Sequence, residues 1–467
     1  MRKAKILATV GPASRDAAVL DALIAAGVDG FRVNFSHGVP DDHRAAVKAL
    51  RAAASRAGRT VSVLGDLSGP KIRCRTFANG PVELVEGAKF TLTTRAVPGD
   101  VDAVSMTYPL WKDLRVGDPV LLDDGLLRLR VTGVLDEDVE CVVEVGGALS
   151  DRKGINVPGA KLSVPALTDK DREDAVLARE LGVDYLALSF VRHPNDLHEA
   201  RLAVGEGVPL IAKIEKPEAI DNLEAIIMAC DGIMVARGDL GVELGPEKVP
   251  LAQKRAILLA NAHGKLVVTA TQMLDSMIRS PRPTRAEVAD VANAVLDTTD
   301  VLMLSGETAS GRYPVLAVQM MDSIIREIEG SPLYERATEP MMPRMDWDFT
   351  HACAAAAALT ARHTRLAAIV VFTRSGHTAD MVAECRPRAP IVAVTATREV
   401  AQKMALQWGV IPVVHALPEL PTEALALAAR IAREALPVLD GETIGIVAGH
   451  QTDTGTKSFT LHRLQAT

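Results

Sequence analysis

KILATV at residues 5–10 and DAAVLDALIAAG at 16–27 open a repeating pattern that decides the fold. DGFRVNF at 29–35, DDHRAAVKALRAAASRAG at 41–58 and TVSVLGDL at 60–67 continue it. The short runs are apolar and β-branched, as strands are, and the longer runs have the apolar spacing of amphipathic helices. Repeated strand–helix units of this kind build a parallel sheet.

The same pattern returns later in the chain and brings the number of predicted strands to eight. They begin near residues 5, 31, 61, 185, 210, 232, 266 and 300. Eight parallel strands with intervening helices predict an α/β fold of the closed (β/α)8, or TIM, barrel type. We assign residues 1–70 and 162–335 to this barrel. Its functional side chains are expected at the C-terminal ends of the strands.

Two further regions interrupt or follow the barrel pattern. Residues 71–161 contain alternating strand-like runs and Gly or Asp turns, which predict a small inserted β-barrel lid domain. The stretch EPMMPRMDWD at 339–348 indicates a boundary. Apolar strand-like runs and helices beyond it predict a C-terminal open α/β domain, which we assign to residues 336–467.

Composition excludes several classes of partner. The formal net charge is -7 and the pI is about 5.9, so no basic excess is present to grip nucleic acid or an anionic membrane. Five scattered cysteines lack metal-ligand spacing and read as reduced thiols. Gly11 and Pro12 interrupt the first apolar run, and no run approaches the roughly 18 residues of a membrane span. We therefore expect a cytoplasmic protein.

Nearly every predicted barrel strand ends in polar or charged residues. They are Arg32, Asn34, Ser36 and His37 after the second strand, Asp66 after the third, Lys213 and Glu215 after the fifth, Arg237, Gly238 and Asp239 after the sixth, Thr271 and Gln272 after the seventh, and Ser305 and Glu307 after the eighth. One such end would be ordinary. Six at one face of a barrel predict a site.

The most informative pair is Lys213 and Glu215. Being two residues apart on a strand, they point to the same side, which is the lumen of a barrel. One interpretation is a structural ion pair. The other is a carboxylate for a hard cation beside an ammonium for an anionic substrate, with Asp239 as a second carboxylate suited to Mg²⁺. The absence of His or Cys at matching positions disfavours zinc.

The remaining polar residues are weaker signals when taken singly. Arg32 has the planar fork that grips phosphate, although a solvated or salt-bridged arginine is the ordinary alternative. Thr9, Thr271 and Ser305 could equally be capping or core hydroxyls. They become informative together, because all are expected at the same rim of the predicted barrel.

Seven longer motifs carry a resemblance to a known family. They are ATVGPASR at 8–15, FRVNFSHG at 31–38, KGINVPG at 153–159, AKIEKPEAI at 212–220, ARGDLGVE at 236–243, ATQMLDSM at 270–277 and SGETASGRYP at 305–314. In this order they resemble pyruvate kinase over essentially the whole chain. The resemblance implies phosphoryl transfer from phosphoenolpyruvate to ADP, giving pyruvate and ATP in the last step of glycolysis.

The resemblance also implies roles for individual residues. Glu215 and Asp239 match the ligands of a divalent metal, Mg²⁺ with Mn²⁺ as a substitute, and Lys213 matches the residue that stabilises the phosphoryl group in flight. Arg32 matches a phosphate ligand. Gly238, Asp239 and Thr271 match the surroundings of the phosphoenolpyruvate carboxylate, and Thr271 and Ser305 match the proton route to the enolate. Positions near the nucleotide are matched by Pro12, Asn34, His37, Arg73 and Lys153.

The segment DLSGPKIR at 66–73 departs from the family pattern. Potassium-dependent members usually have Glu where this chain has Lys71, and an oxygen ligand where it has Leu67. In those members the monovalent cation lies near the residues matching Asn34, Ser36 and Asp66. We hypothesise that the Lys71 ammonium replaces potassium, so that K⁺ is not required.

The C-terminal domain contains TRSGHTAD at 373–380, a loop between a predicted strand and a predicted helix. Such loops can cradle phosphate, although an ordinary turn is the simpler interpretation. In the resembled family this loop faces a phosphorylated allosteric effector, which predicts an effector loop of Thr373, Arg374, Ser375, Gly376, His377 and Thr378. The matching terminal loop, GHQTDTGTKS at 449–458, departs from common versions, so the effector's identity stays open.

Oligomeric state and two alternative functions complete the expectations. The family resemblance implies a homotetramer. Another barrel enzyme acting on phosphoenolpyruvate or pyruvate, such as an aldolase or mutase, would need no lid, and Lys153 disfavours it. A catalytically silent homologue kept for effector binding or assembly is disfavoured by Lys213, Glu215, Asp239 and Thr271.

Overall fold

The N-terminal strands and helices follow the alternation in the sequence. The structure is a computed structural model that describes residues 1–338, 349–448 and 458–465. The first elements are β1 (Lys5–Thr9), α1 (Ala17–Ala25), β2 (Gly30–Asn34), α2 (Pro40–Arg56) and β3 (Ser62–Asp66). These strands are parallel, with Thr9 paired to Arg32 and Asn34 paired to Asp66. Their polar C-terminal ends therefore lie side by side.

A β-rich segment follows β3. Its elements are β4 (Val82–Leu84), β5 (Lys89–Thr93), β6 (Ala103–Ser105), a 3-10 turn (Leu110–Lys112), β7 (Pro119–Leu122), β8 (Leu127–Leu135), β9 (Asp138–Val145), β10 (Gly147–Leu149) and β11 (Ile155–Asn156). They form one sheet in the order β11-β7-β8-β9-β5-β6 and a pair of β10 with β4. Alternating apolar side chains give this segment its own buried core, which includes Phe90, Val120 and Leu129. The predicted inserted β domain is confirmed.

The chain then completes the barrel. The elements are α3 (Asp169–Glu180), β12 (Tyr185–Leu188), α4 (Pro194–Val204), β13 (Leu210–Ile214), α5 (Pro217–Asp221), α6 (Leu223–Ala229), β14 (Gly232–Ala236), α7 (Arg237–Leu244), a 3-10 turn (Pro246–Lys248), α8 (Val249–Ala262), β15 (Leu266–Ala270), a 3-10 turn (Asp275–Ile278), α9 (Arg285–Leu296), β16 (Val301–Leu304), α10 (Gly306–Ala309) and α11 (Pro314–Glu329). β16 pairs with β1, and the order β1-β16-β15-β14-β13-β12-β3-β2 closes the barrel. The predicted barrel is confirmed.

A second α/β unit follows the barrel. It contains α12 (Pro332–Thr338), α13 (Phe349–His363), β17 (Leu366–Phe372), α14 (His377–Glu384), β18 (Ile391–Thr395), α15 (Arg398–Met404), β19 (Val410–Val414), α16 (Pro421–Ala435), β20 (Thr443–Ala448) and β21 (Ser458–Arg463). The sheet order is β19-β18-β17-β20-β21, parallel except for the antiparallel edge strand β21. Separate apolar clusters cover its two faces, as in an open α/β fold.

The predicted limits of the three domains stay predictions. The boundary stretch at 339–348 lies outside the described residues. Among the helices that are described, none combines the length and apolar character needed to cross a membrane.

Leu406 of the C-terminal unit packs into the barrel at the N-terminal ends of its strands. It is fully buried and belongs to the lumen cluster that also contains Leu7, Met234 and Val301. A Cβ atom on Gly30 would lie 2.8 Å from Leu406 Cδ2, so the leucine reaches the barrel backbone. The packing of this one side chain therefore couples the two units.

We expect Leu406→Ala to lower the free energy of unfolding by about 3 kcal/mol, because the truncation leaves a cavity that the rigid strands cannot fill. Chemical denaturation followed by circular dichroism measures this loss. Leu439→Ala is the matched control, since that leucine of the same unit is 68% exposed. Equal stabilities of the two variants would contradict the coupling.

Candidate active site

Side chains from three neighbouring strand ends surround the ammonium group of Lys213. Its Nζ lies 2.7 Å from Ser189 Oγ, 3.0 Å from Glu215 Oε1 and 3.4 Å from Asp66 Oδ1. Asp66 ends β3, Ser189 follows β12, and Lys213 lies on β13, with Glu215 directly after it. The structure thus places the predicted pair on one side of its strand and adds Asp66 from β3, two strands away in the barrel.

The carboxylates keep Lys213 charged. Burial alone would lower the pKa of Lys213, but Asp66 and Glu215 outweigh it and raise this pKa above its ordinary value. Burial would raise the pKa of Asp66, yet Lys213 and Arg32 together lower it. Lys213 is therefore an ammonium ion at neutral pH, in a place where few water molecules can screen its charge.

Arg32 is oriented by the same carboxylate. Its Nε donates a hydrogen bond to Asp66 Oδ2 at 2.6 Å, and its Nη2 lies 2.6 Å from the same oxygen. Arg32 Nη1 is 3.4 Å from Thr9 Oγ1, and that hydroxyl donates to the backbone oxygen of Leu304. Asp66 thus holds two cations at the rim of the barrel, one on each carboxylate oxygen.

Glu215 and Asp239 form a pair of carboxylates that can hold a metal ion. Glu215 is fully buried, and its Oε2 accepts a hydrogen bond from the Phe190 N–H at 2.7 Å. Burial raises the pKa of Glu215, Lys213 opposes that rise, and the negative charge of Asp239 adds to it. Glu215 Oε1 contacts the Lys213 ammonium at 3.0 Å. A cation shared by the two carboxylates would relieve the repulsion between them.

The donor set suits a hard cation with few protein ligands. Within the part of the chain that the structure describes, no three His, Cys, Asp or Glu side chains are grouped to share a metal ion. Mg²⁺ commonly takes one or two carboxylates and completes its octahedron with substrate oxygens and water. The pair Glu215 and Asp239 fits that pattern.

Lys71 lies beside Asp239, one of the two candidate metal ligands. Its Nζ is 2.9 Å from Asp239 Oδ1 and 3.9 Å from Asp124 Oδ1 of the inserted domain. The sequence prediction grouped Lys71 with Asn34, Ser36 and Asp66. The ion pairs that Lys71 makes among the described residues are with aspartates outside that group, while Asn34 Oδ1 accepts the Ser36 N–H at 3.1 Å.

Gly238 and Thr271 meet closely at the ends of β14 and β15. A Cβ on Gly238 would lie 2.7 Å from Thr271 Cγ2, so only glycine fits there. Thr271 and Gln272 both adopt positive φ, 76° and 54°, which is costly for residues with a side chain. Arg237 holds this bend, because its guanidinium donates to the Thr271 carbonyl at 2.8 Å and to Asp290 Oδ1 at 2.7 Å.

Ser305 is positioned by its neighbour Glu307. The Ser305 N–H donates to Glu307 Oε2 at 2.7 Å, and the Leu274 N–H donates to Glu307 Oε1 at 3.0 Å. Burial raises the pKa of Glu307, and these backbone donors oppose the rise. The buried carboxyl group therefore links the ends of β15 and β16.

The residues matched to a nucleotide site are only partly brought together. Burial, together with the charges of Arg73, Arg32 and Lys71, lowers the pKa of His37, which places these cations in one electrostatic neighbourhood. Pro12 is exposed in the loop after β1. Lys153 lies 2.8 Å from Asp123 Oδ1 within the inserted domain.

The predicted effector loop is a turn between β17 and α14. Thr373 Oγ1 accepts the Gly376 N–H at 3.0 Å, and Gly376 has a φ of 95°. Ser375 Oγ lies 3.5 Å from the His377 backbone nitrogen, Arg374 belongs to the same turn, and Thr378 lies in the first turn of α14. Residues 449–457 of the matching terminal loop lie outside the described part of the chain.

Comparison with known proteins identifies the family. A family model described as pyruvate kinase, barrel domain, matches residues 1–318, and one described as pyruvate kinase, alpha/beta domain, matches residues 351–460. The chain belongs to the pyruvate kinase family. The predicted resemblance is thereby confirmed.

Individual pyruvate kinases match most of the chain. The enzyme of Bacillus licheniformis is 44% identical over 98% of this chain and 80% of its own length. That of Mycobacterium tuberculosis (strain ATCC 25618 / H37Rv) is 49% identical over 87% of this chain and 86% of its own. The Agrobacterium vitis enzyme is 42% identical over 100% of this chain and 98% of its own.

Two residues of this pyruvate kinase site escaped the sequence analysis. Ser189 accepts the Lys213 hydrogen bond and donates its own to the Leu67 carbonyl at 2.7 Å. Its signal was present, because Ser189 directly follows the apolar run YLAL at 185–188. Glu243, in the last turn of α7, is nearly buried, and its Oε1 accepts hydrogen bonds from Asn156 at 2.7 Å and Lys216 at 2.6 Å. Nothing in the sequence pattern pointed to this contact.

Glu243 joins the inserted domain to the helix that carries Asp239. Asn156 lies on β11, Lys216 precedes α5, and α7 begins beside Asp239. The Glu243 carboxylate therefore connects three elements: β11 of the inserted domain, the barrel loop before α5, and helix α7, which carries Asp239.

We expect Glu243→Gln to lower the free energy of unfolding by about 2 kcal/mol, because the nearly buried Lys216 ammonium loses its counter-charge. Amide hydrogen exchange at Ile155 and Asn156 should become faster as the base of the lid loosens. Glu247→Gln, at an exposed carboxylate just after the same helix, is the control. Unchanged exchange in Glu243→Gln would show that the contact does not hold the lid.

Proposed function

We propose that the chain transfers a phosphoryl group from phosphoenolpyruvate to ADP, giving pyruvate and ATP in the last step of glycolysis. The observation that carries this proposal is the ammonium of Lys213, which stays charged while buried between Asp66 and Glu215. The family match supports the same reaction. Phosphoryl transfer depends on positioned positive charge rather than on a covalent intermediate, and this site supplies such charge.

Lys213 and Arg32 are the proposed phosphoryl ligands. Both cations lie against Asp66, so their side chains are oriented before substrate arrives. Charge that spreads over the phosphoryl oxygens in the transition state would meet preorganised donors at little reorganisation cost. Their arrangement favours the transition state over the ground state because the developing charge lies between them.

Glu215 and Asp239 are the proposed ligands of a divalent cation, Mg²⁺ with Mn²⁺ as a substitute. The repulsion between the two carboxylates supports this assignment. When bound, the metal would neutralise negative charge on phosphoryl oxygens.

The enolate side of the reaction is assigned to the rim between β14 and β16. We place the substrate carboxylate against Gly238, Asp239 and Thr271, where the first turn of α7 offers backbone N–H groups. Thr271 and Ser305 lie at the ends of β15 and β16 and are assigned to the proton route that converts the enolate to pyruvate. The bend at Thr271, fixed by Arg237, supports its role in positioning.

The nucleotide is assigned to the cleft between the barrel rim and the inserted domain. Its proposed neighbours are Pro12, Asn34, His37, Arg73 and Lys153. The positive charges of Arg73, Arg32 and Lys71, which all act on His37, support this choice. Movement of the inserted domain toward the barrel would bring Lys153 to the phosphates and exclude water, which limits hydrolysis of phosphoenolpyruvate.

We expect Lys213→Met to reduce kcat for ADP-dependent pyruvate formation by about 100- to 1,000-fold, because one preorganised cation is lost from the transition state. Lys48→Met, on the exposed face of α2, is the control. Thermal unfolding of both variants separates a catalytic loss from a folding loss. A folded Lys213→Met protein with unchanged kcat would refute the assignment. An inactive wild-type protein would instead favour the silent homologue.

Potassium independence is the second part of the proposal. The ammonium of Lys71 places a fixed positive charge within reach of Asp239, and its charge also acts on His37. Leu67 offers no side-chain oxygen for a monovalent ion. We infer that Lys71 supplies the positive charge that potassium gives to other members of the family.

Pyruvate formation should be equally fast in potassium-free buffer and with potassium added. Lys71→Met should slow it by about tenfold or more, equivalent to at least ~1.4 kcal/mol of transition-state stabilisation. Potassium should restore that variant only in part, because Leu67 lacks the ligand oxygen. A strong requirement of the wild-type enzyme for potassium would contradict this replacement.

Assembly and regulation are proposed from the family resemblance. We infer a homotetramer, with a phosphorylated effector at the loop Thr373–Thr378, whose polar side chains suit a phosphate. Light scattering tests the tetramer. Substrate saturation curves recorded with sugar phosphates and nucleotides test the effector, and unchanged curves would exclude those ligands.

A further inference from the structure

A cavity of about 340 Å³ lies between the barrel and the C-terminal unit. Its barrel wall includes Tyr185, Leu266 and Asp300, which stand at or just before the N-terminal ends of strands. The cavity is therefore at the opposite end of the barrel from Lys213. The wall from the C-terminal unit is formed largely by α14 and by the segment that ends at Trp408.

Most charged groups on this cavity are already partnered. Asp300 Oδ1 lies 2.6 Å from Arg386 Nη1, Asp231 lies 2.8 Å from Arg201, His263 lies 3.3 Å from Glu224, and Lys265 donates to the Cys230 carbonyl at 2.8 Å. The positive charges of Arg386 and Lys265 also act on Glu384 and lower its pKa, against the larger effect of burial.

Asp380 and Glu384 are the exception. They lie one turn apart on α14, with His377 one turn before them, so their carboxyl groups share a face of the helix. Neither carboxyl group has an ion pair or a side-chain hydrogen bond among the described residues, and Glu384 Oε2 is a buried acceptor with no donor. Burial, followed by the charge of Asp300, raises the pKa of Asp380 to about 8. Burial and Asp380 raise that of Glu384 to about 8.

Two helix ends increase the negative potential at the same place. The 14-residue helix α8 ends at Ala262, and its last residues and the following turn line the cavity. Glu384 is itself the last residue of α14. The C-terminal end of a helix carries unpaired carbonyl groups and favours cations. A Cβ on Gly264 would lie 2.6 Å from the Glu384 carboxyl group, so this carboxyl group packs directly against the α8 end.

Two further buried polar side chains of the C-terminal unit have atoms without partners in the described part of the chain. Gln407 is 9% exposed, and its Oε1 accepts no hydrogen bond from the described residues. Arg386 is 4% exposed, and its Nε likewise donates none, although its Nη1 pairs with Asp300. Arg386 also adopts a φ of 48°, so its backbone is held in an unfavourable conformation. Unmet buried groups around a cavity are donors and acceptors that an ordered water or a ligand would complete.

The size and lining of the cavity indicate an organic cation rather than a metal ion. A volume of about 340 Å³ falls at the lower end of the range for small-molecule sites. Apolar atoms of Leu266, Met381 and Trp408 contribute to the wall and can cover an alkyl chain. The described residues bring no three metal-ligating side chains together here.

We propose that this cavity binds a small organic ammonium ion, held by the carboxylates of Asp380 and Glu384. Gln407 Oε1 accepts a further N–H, the apolar wall covers the alkyl chain, and Arg386 Nε donates to an oxygen at the other end of the ligand. The site is independent of the proposed phosphoryl transfer.

Binding is linked to loss of protons. Because burial raises the folded-state pKa of both carboxyl groups to about 8, a larger fraction of them is ionised at pH 8.5 than at pH 6.5. An ammonium ion must displace those protons at the lower pH, whereas an alkylamine remains charged up to a pH of about 10. Affinity therefore increases as the pH rises from 6.5 to 8.5.

Calorimetric titration of the full chain with 4-amino-1-butanol tests the proposal. At pH 8.5 we expect saturable binding to one site per chain, with proton release seen as a dependence of the heat on buffer ionisation. Affinity should fall by about tenfold or more at pH 6.5. The neutral molecule 1,4-butanediol has the same length and should not bind.

Variants locate the site. Asp380→Asn and Glu384→Gln should each weaken binding by about tenfold or more at pH 8.5, because each removes a charged acceptor. Glu399→Gln, at an exposed carboxylate on α15, should bind as the wild type does. Absence of saturable heat with the wild type, equal binding of the diol, or full affinity in both cavity variants would overturn the proposal.

Discussion

The ion pairs of Lys213 are the constraint on which the rest of the site depends. A buried ammonium is tolerated only when carboxylates or hydroxyl groups surround it, and here they come from β3, the end of β12 and β13. Those strands are neighbours in the barrel, so one slip in register would separate the partners. The charged form of Lys213 therefore depends on the strand register of the closed barrel, which brings its carboxylate partners beside it.

Charge at the rim is balanced before any ligand arrives. Asp66, Glu215 and Asp239 supply three negative charges, while Arg32, Lys213 and Lys71 supply three positive ones. Substrate phosphates add negative charge, and a divalent metal would add positive charge beside the same carboxylates. Since Lys71 and a metal would share Asp239, binding of either changes the partners of the other. The neighbouring Asp124, at 3.9 Å from Lys71, offers that ammonium a second carboxylate.

The sequence predicted the parts of this structure that follow local rules. Strand–helix alternation identified the barrel, and the side-chain period of two placed Lys213 and Glu215 on one face. Contacts across the chain escaped prediction, because no periodicity relates Glu243 to Asn156, or Lys71 to Asp239, over 87 and 168 residues. The edge strands β19 and β21 also escaped prediction. β19 contains Pro412, and β21 is only partly covered, so neither has the uniform apolar run of a central strand.

The two ends of the barrel treat buried charge in opposite ways. At the C-terminal end, Asp66 has two cationic partners, and its pKa stays low despite burial. At the N-terminal end, Asp380 has no cationic partner among the described residues, and burial raises its pKa to about 8. A buried carboxyl group is either paired with a cation or protonated, because an isolated charge costs too much free energy in the low-dielectric interior of a protein. The first arrangement preorganises cations for a substrate that is an anion. The second leaves buried carboxyl groups without a cation among the described residues. If stability alone mattered, an apolar side chain at such a position would be the more favourable choice.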